Sequence, residues 1–148
     1  KLLVSGSEVS RSQSLRRAVH RYNLHKHVRF LGYQTEDTLA ALYRLAAVFV
    51  FPSLYEGFGL PPLEAMAYGV PIAAADIDPV REICGDVPLY FEPNDVCQLG
   101  NTIVRLAGDD GLRRELIDRG LARARRFSWE RTARETLQVL RAVVADRA

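Results

Sequence analysis

The stretch SLYEGFGLPPLEAMAYG, Ser53–Gly69, joins an apolar run to a helix-forming sequence through a corner rich in glycine and proline. The run just before it, Val48–Phe51, contains no polar residue, which is typical of a strand covered on both faces. Pro61 suits the first turn of a helix, because an N–H at that position has no partner within the helix. The segment therefore predicts a buried strand, a tight loop and a helix, in that order.

The same alternation continues on both sides of this segment. Alternating strands and helices predict a parallel sheet with right-handed crossovers. The predicted strands are Leu2–Gly6, Val28–Gly32, Ala47–Ser53, Pro71–Ala75 and Pro88–Phe91, and the predicted helices are Ser12–Leu24, Glu36–Ala46 and Pro61–Tyr68, with a shorter turn at Val80–Ile83. The predicted fold class is therefore α/β, a Rossmann-like parallel sheet flanked by helices.

Beyond Phe91 the pattern becomes wholly helical. Three helices are expected here. Asn94 or Asp95 should cap the first, which runs through Leu106, and Asp109 or Asp110 should cap the second, which runs through about Arg125. Ser128 should cap the third, from Trp129 to about Ala145. We therefore expect one domain over residues 1–148 with a helical C-terminal segment. Because the sequence opens directly in an apolar strand, we also expect it to be part of a longer protein, with a trimmed complete domain as the alternative.

Composition argues against several functions. A formal net charge of +2 gives no reason to expect nucleic-acid binding, and no apolar run approaches the ~18 residues of a membrane span. Cys84 and Cys97 form no CxxC pair, so we expect reduced thiols in a cytoplasmic protein. His20, His25 and His27 have no acidic residue or cysteine nearby, which favours surface histidines over a metal site.

The corner after the third strand has the features of a ligand site. Gly57 and Gly59 are expected to adopt positive φ and to let a ligand approach the main chain. The helix beginning near Pro61 directs its positive end and free N–H groups at the same place. The expected amide donors are those of Phe58, Gly59, Leu60 and Leu63, because Pro61 and Pro62 have no N–H.

Two glutamates, Glu56 and Glu64, flank this loop. Carboxylates accept hydrogen bonds from hydroxyls, so sugar hydroxyls are natural partners. A Walker-type loop would add Lys and Ser or Thr, which are absent here, so ATP hydrolysis is not expected. The layout suggests ribose at Glu64, a diphosphate at the loop amides and a second sugar at Glu56. The alternative is a helix-capping Glu64 and a solvated Glu56.

The region EGFGLPPLEAMAYGVPIAAAD, residues 56–76, resembles the E-x7-E region of the retaining, GT-B-fold glycosyltransferases of family 4, also called group 1. The resemblance extends through VRFLGYQTEDTLAALYRLAAVFVFPS upstream and FEPNDVCQLGNTIVRL and RRFSWERTARETLQVL downstream, and so covers nearly the whole chain. It implies one half of a GT-B fold, the C-terminal nucleotide-sugar-binding domain of a longer two-domain enzyme. The N-terminal domain of such an enzyme holds the acceptor.

The resemblance also implies roles for individual residues. Glu64 would bind the ribose hydroxyls, and Glu56 would be the catalytic residue that contacts the transferred sugar. The implied donor-binding residues are Gly6, Ser7, Gly32, Tyr33, Glu56, Gly57, Phe58, Gly59, Leu60 and Glu64. No metal or other cofactor is implied, because amides and basic side chains neutralise the diphosphate leaving group. The family's diphosphate-clamping Arg and Lys would precede Lys1, so we expect little or no activity from this chain alone.

The implied reaction moves a hexose, mannose or glucose, from a nucleoside-diphosphate sugar to a hydroxyl acceptor with retention, in polysaccharide or glycolipid biosynthesis. GDP-mannose and UDP-glucose are the leading donors. The alternatives are a non-catalytic nucleotide-sugar-binding or regulatory module of the same shape and, less favoured, a nucleotide-sugar epimerase.

The last two predicted helices carry two further patterns. Their arginines interleave with acidic residues, which is typical of a solvated face, although a peripheral contact with the inner face of the membrane is the alternative. An apolar stripe runs along the final helix through Trp129, Leu137, Leu140 and Val144. The resemblance implies that this stripe packs against the N-terminal domain, and packing within this chain is the alternative.

Overall fold

The computed structural model describes residues 1–6 and 12–145, and the chain divides into two compact units, Lys1–Leu42 and Tyr43–Ala148. The first unit contains β1 (Leu2–Ser5), α1 (Gln13–Arg21), β2 (Val28–Gly32) and the beginning of α2 (Glu36–Leu45). β1 and β2 pair in parallel, with Leu2 opposite Val28, and the register shifts between Val4 and Ser5. The first turn of α2 is acidic, which suits the positive end of the helix.

The second unit is built around a three-stranded parallel sheet in the order β3-β4-β5. Its elements are β3 (Phe49–Phe51), α3 (Leu60–Ala67), β4 (Ile72–Ala75), α4 (Asp78–Cys84), β5 (Leu89–Phe91), α5 (Val96–Gly108), α6 (Asp110–Ala124) and α7 (Trp129–Ala145). Phe49 lies opposite Ile72, and Ala75 lies opposite Phe91. The predicted parallel α/β architecture with a helical C-terminal segment is confirmed.

The core of the second unit surrounds β4, whose four residues are all buried. Ala73 and Ala75 cluster with Phe91, Leu106 and Leu116, which come from β5, α5 and α6. Small alanines on the central strand let helices approach the sheet closely, as a strand covered on both faces requires. This core anchors the strand ends and the helix that carry the candidate site.

Most predicted elements are present, with ends shifted by a few residues. α3 begins at Leu60 rather than Pro61, and α4 is a full helix from Asp78, whereas only a short turn at Val80–Ile83 was predicted. Pro79 lies in the first turn of α4, where its missing N–H costs nothing, so the helix extends further towards its N-terminus than predicted.

The predicted helix caps form hydrogen bonds. The Asp95 side chain accepts from the Gln98 amide at 2.8 Å, the Asp109 side chain from the Leu112 amide at 2.9 Å, and the Ser128 hydroxyl from the Arg131 amide at 3.2 Å. Each satisfies one donor that the first turn of a helix leaves free.

The final helix, α7, has no buried residue. Trp129 is 77% exposed and Val144 is 70% exposed. Packing of the apolar stripe within the described chain is therefore wrong as an interpretation, because residues 1–6 and 12–145 bury none of the side chains of α7. Packing against a further domain stays a prediction. Within the same residues, no helix is both long and apolar enough to span a membrane.

Candidate functional site

The loop between β3 and α3 turns at Gly59, which precedes the first helical residue. Gly59 is buried and left-handed, with φ 98° and ψ 46°, so its predicted positive φ is confirmed. Gly57 lies outside the positive-φ region, and the prediction of positive φ there is wrong. A Cβ on Gly57 would meet no atom within 4 Å. The backbone therefore does not require glycine at this position, and a close approach by a ligand stays a prediction.

The start of α3 leaves part of the loop backbone available for a ligand. The Leu63 amide donates to the Gly59 carbonyl at 3.4 Å, so its predicted availability is wrong. Because α3 begins one residue earlier than predicted, this N–H already belongs to the first closed turn of the helix. The amides of Phe58, Gly59 and Leu60 have no acceptor among residues 1–6 and 12–145. Three adjacent donors thus lie at the positive end of α3.

Glu64 lies in the second turn of α3, and another side chain holds its carboxylate. The Tyr43 hydroxyl donates to Glu64 Oε2 at 3.0 Å and lies 3.4 Å from the Pro61 carbonyl oxygen. This is the only hydrogen bond that the Glu64 carboxylate makes within the described part of the chain. Helix capping by Glu64, the alternative interpretation, is therefore not observed.

The Tyr43 ring is fixed by aromatic neighbours. It stacks on Tyr68 with 5.4 Å between centroids and 11° between planes, and meets Phe49 edge-on at 5.5 Å. The Arg44 guanidinium lies over the Tyr68 ring, 5.2 Å from its centroid. Burial and the adjacent Glu64 carboxylate raise the pKa of the Tyr43 phenol well above its ordinary value. The hydroxyl is therefore a protonated donor throughout the neutral range.

Sequence reasoning missed Tyr43. Tyr43 lies four positions after Leu39 and so on the same face of α2. This spacing predicts that the Tyr43 ring packs among apolar side chains. Nothing in the sequence directs its hydroxyl at Glu64, since the two residues lie 21 positions apart. That contact depends on tertiary packing within the second unit, which no local sequence pattern encodes.

Glu56 lies half-buried in the loop ahead of Gly59. Its carboxylate has no hydrogen-bond or ion-pair partner within residues 1–6 and 12–145. Phe58 and Leu60 are nearly half exposed, at 46% and 45%. The loop thus presents an unpaired carboxylate, free amides and exposed apolar surface within a few residues.

The remaining predicted site residues belong to the first unit. The Gly6 amide donates to the Gly32 carbonyl at 2.9 Å, and both glycines have positive φ, 133° and 71°. The structure thus brings together the carboxyl ends of β1 and β2, where open parallel sheets bind ligands. Tyr33 is 80% exposed beside this turn. Ser7 lies outside the described residues.

The histidines and cysteines of the described chain form no candidate set of metal ligands. His20, His25 and His27 are exposed, and the rings of His20 and His25 meet edge-on at 5.6 Å. Within residues 1–6 and 12–145, no three His, Cys, Asp or Glu side chains form a candidate ligand set. Cys84 is buried and Cys97 exposed, and both are free thiols as predicted.

Comparison with known proteins identifies the relatives of this fold. The family model described as glycosyl transferases group 1 matches residues 1–123. The chain is 40% identical over 136 residues to O-antigen chain mannosyltransferase B of Escherichia coli, covering 92% of this chain and 36% of that protein.

Solved structures share the architecture. Sucrose-phosphate synthase from Thermosynechococcus elongatus superposes with a TM-score of 0.87 at 34% identity, covering 98% of this chain and 39% of that one. Anabaena HepE in complex with UDP-glucose superposes with a TM-score of 0.84 at 22% identity, covering 95% of this chain and 40% of HepE. The chain therefore spans well under half the length of these relatives.

Proposed function

The chain belongs to the glycosyl transferases group 1 family, and from that premise we propose that it is the nucleotide-sugar-binding part of a longer glycosyltransferase. The whole protein would transfer a hexose to a hydroxyl acceptor, and a further N-terminal domain would bind that acceptor. The observation that carries the proposal is the constellation at the start of α3. There, three free amides lie between two carboxylates. The carboxylate of Glu56 is unpaired, and that of Glu64 accepts a hydrogen bond from Tyr43.

Each group in this constellation suits one part of the donor. The Glu64 carboxylate would accept hydrogen bonds from the ribose hydroxyls. The amides of Phe58, Gly59 and Leu60 would hold the distal phosphate or the transferred sugar at the positive end of α3. Glu56 would contact the hydroxyls of that sugar. The roles that the resemblance implies for Gly6, Ser7, Gly32 and Tyr33, on the phosphate and base side of the donor, stay predictions.

The proposed chemistry keeps the anomeric configuration. The acceptor oxygen bonds to the anomeric carbon as the carbon–oxygen bond to the diphosphate breaks on the same face, and the acceptor proton passes to the departing phosphate oxygen. Neither Glu56 nor Glu64 serves as a covalent nucleophile. Preorganised amides and basic side chains stabilise the charge that develops on the leaving group, so no metal is required. Loss of sugar transfer when a metal chelator is added, or a product with inverted anomeric configuration, would contradict this mechanism.

We propose mannose as the first hexose to test, with GDP-mannose as its donor and UDP-glucose second. The support for mannose is the 40% identity to a protein named as a mannosyltransferase. The related structure solved with UDP-glucose is only 22% identical, so it supports the fold rather than the donor. We further propose a cytoplasmic protein that makes polysaccharide or glycolipid, with peripheral membrane contact through the arginine-rich helices.

Calorimetric titration with GDP, UDP and ADP in the absence of metal tests the proposal, on this chain and on the full-length protein that carries it. We expect one nucleotide to bind, and Glu64→Ala to weaken that binding by about 10-fold or more, because a hydrogen bond to a charged group is lost. Asp118→Ala is the matched control, since Asp118 is an exposed carboxylate on α6.

Each result has a distinct meaning. Equal binding by Glu64→Ala and wild type would contradict the proposed site. Nucleotide binding by a full-length protein that transfers no sugar to any acceptor would favour a non-catalytic binding module. Binding by the full-length protein but not by this chain would mean that basic residues elsewhere in the protein are needed to hold the diphosphate.

A further inference from the structure

We infer that Tyr43 is a positioning residue for the donor nucleotide. Its hydroxyl holds Oε2 of Glu64 and so fixes the carboxylate, which leaves Oε1 and the second lone pair of Oε2 to accept hydrogen bonds from the ligand. This inference rests on the proposed function, because it gives Tyr43 its role through Glu64. Tyr43 itself is not assigned any contact with the substrate.

The hydrogen bond has a defined direction. A carboxylate can only accept, so the phenol is the donor, and a charged acceptor makes the stronger bond. The other acceptor within reach, the Pro61 carbonyl, lies at 3.4 Å against 3.0 Å for Glu64 Oε2. The carboxylate is therefore the preferred partner. The raised pKa of the phenol means that this donor is not lost at mildly alkaline pH.

The aromatic neighbours make Tyr43 a rigid support. Tyr43 is 5% exposed, and its ring is stacked on Tyr68 and met edge-on by Phe49, so its hydroxyl has a fixed position. Glu64 by contrast is an exposed side chain with several rotatable bonds, and ordering it costs conformational entropy. Holding the carboxylate before the ligand arrives removes part of that cost from binding.

The test uses Tyr43→Phe in the full-length protein, with Tyr68→Phe as the matched control. Tyr43→Phe removes the hydroxyl and keeps the stacked ring. Tyr68→Phe removes the hydroxyl of the neighbouring ring, and that hydroxyl makes no hydrogen bond to Glu64. We expect Tyr43→Phe to weaken binding of the preferred nucleoside diphosphate by about 3- to 10-fold. Tyr68→Phe should bind within about 2-fold of wild type.

Two further measurements separate positioning from a general loss of structure. In a Glu64→Ala background, Tyr43→Phe should cause no further loss of affinity, because the two residues act as one unit. The 2′,3′-dideoxy form of the same nucleotide lacks the hydroxyls that Glu64 would bind. Wild type and Tyr43→Phe should therefore bind this analogue equally.

The outcomes distinguish the inference from the proposed function. If Glu64→Ala weakens binding but Tyr43→Phe does not, or if the losses add in the double variant, the positioning role is overturned and the proposed site stands. The positioning role is also overturned if Tyr43→Phe weakens binding of the dideoxy analogue as much as binding of the normal nucleotide. The effect of Tyr43 would then not depend on the ribose hydroxyls. If Glu64→Ala itself has no effect, the proposed function and the inference fail together.

Discussion

The two units of the chain repeat the same local pattern but differ in burial. Both pair their strands in parallel with a helix between them. Among the described residues of Lys1–Leu42 none is buried, whereas β4 of the second unit is wholly buried. Leu3 in β1 is 48% exposed, while Ile72 in β4 is fully covered. An apolar run thus identifies a strand, but it does not say how much of that strand the chain itself covers.

This difference bears on where a precise site can form. α3 buries Pro62, Ala65 and Met66 against the second unit, while Glu64 on the same helix is exposed. A helix fixed on one side by a packed core can present groups on its other side with little motion. The candidate site therefore draws its rigidity from the unit that contains the core.

The largest expected effect is on the free energy of unfolding of core variants. Ile72→Ala should lower it by about 2–5 kcal/mol, because it removes buried methyl groups from the central strand and leaves a cavity. Leu3→Ala should lower it by less than about 1 kcal/mol, since about half of that side chain is already in water. Urea denaturation of both variants measures the contrast, and equal losses would break the comparison.

The fold was largely predictable because its patterns are local. Unbroken apolar runs such as Val48–Phe51 and caps such as Asp95 and Asp109 each depend on a few adjacent residues. The full length of α4 was not predicted, since Pro79 was not recognised as a first-turn residue. The exposure of α7 was not predictable either, because an apolar stripe indicates a covered face without naming what covers it.

The candidate site was predictable only in part. The spacing of Glu56, Gly59 and Glu64 lies within one segment, so sequence placed all three around one loop. Tyr43 was missed because its hydrogen bond joins two elements that are distant in sequence. The expectation for Gly57 failed because the identity of a glycine does not determine its φ.

A second prediction concerns backbone strain, which should be alike in the two units. Gly32 (φ 71°) and Gly59 (φ 98°) both occupy the region that disfavours a side chain. Gly32→Ala and Gly59→Ala should each lower the free energy of unfolding by about 1–2 kcal/mol. Gly57→Ala, at an open position outside that region, should change it by less than about 0.5 kcal/mol. A large loss for Gly57→Ala in urea denaturation would show that the loop requires glycine for another reason.

A third, smaller contrast lies in the helix caps. The Asp109 side chain accepts from the Leu112 amide at 2.9 Å, whereas the Ser12 hydroxyl accepts from the Leu15 amide at 3.5 Å. Asp109→Ala should cost about 1 kcal/mol of unfolding free energy. Ser12→Ala should cost only a few tenths, since roughly 3.5 Å is at the limit of a hydrogen bond. Chemical denaturation with Asp118→Ala as control measures both, and a larger loss at Ser12 would reverse the expected order.

The smallest expected effect is a pH dependence at the edge of the buried sheet. Asp76 follows β4 and accepts hydrogen bonds from the Arg81 guanidinium, which lies 4.3 Å above the Tyr90 ring. That hydrogen bond holds the pKa of the Asp76 carboxyl below its ordinary value, outweighing the opposing effect of burial. A pKa that is lower in the folded state than in the unfolded state stabilises the protein above the unfolded pKa. This contribution is lost as the pH falls through the folded pKa.

Asp76→Asn should therefore be less stable than wild type at pH 7, and the difference should shrink below about pH 4. Solvent screens this pair, so we expect a smaller change than for Ile72→Ala, Gly59→Ala or Asp109→Ala. Denaturation of Asp76→Asn and Asp118→Asn across this range measures the effect. A difference between wild type and Asp76→Asn that stays constant with pH would show that the negative charge of Asp76 does not stabilise the fold.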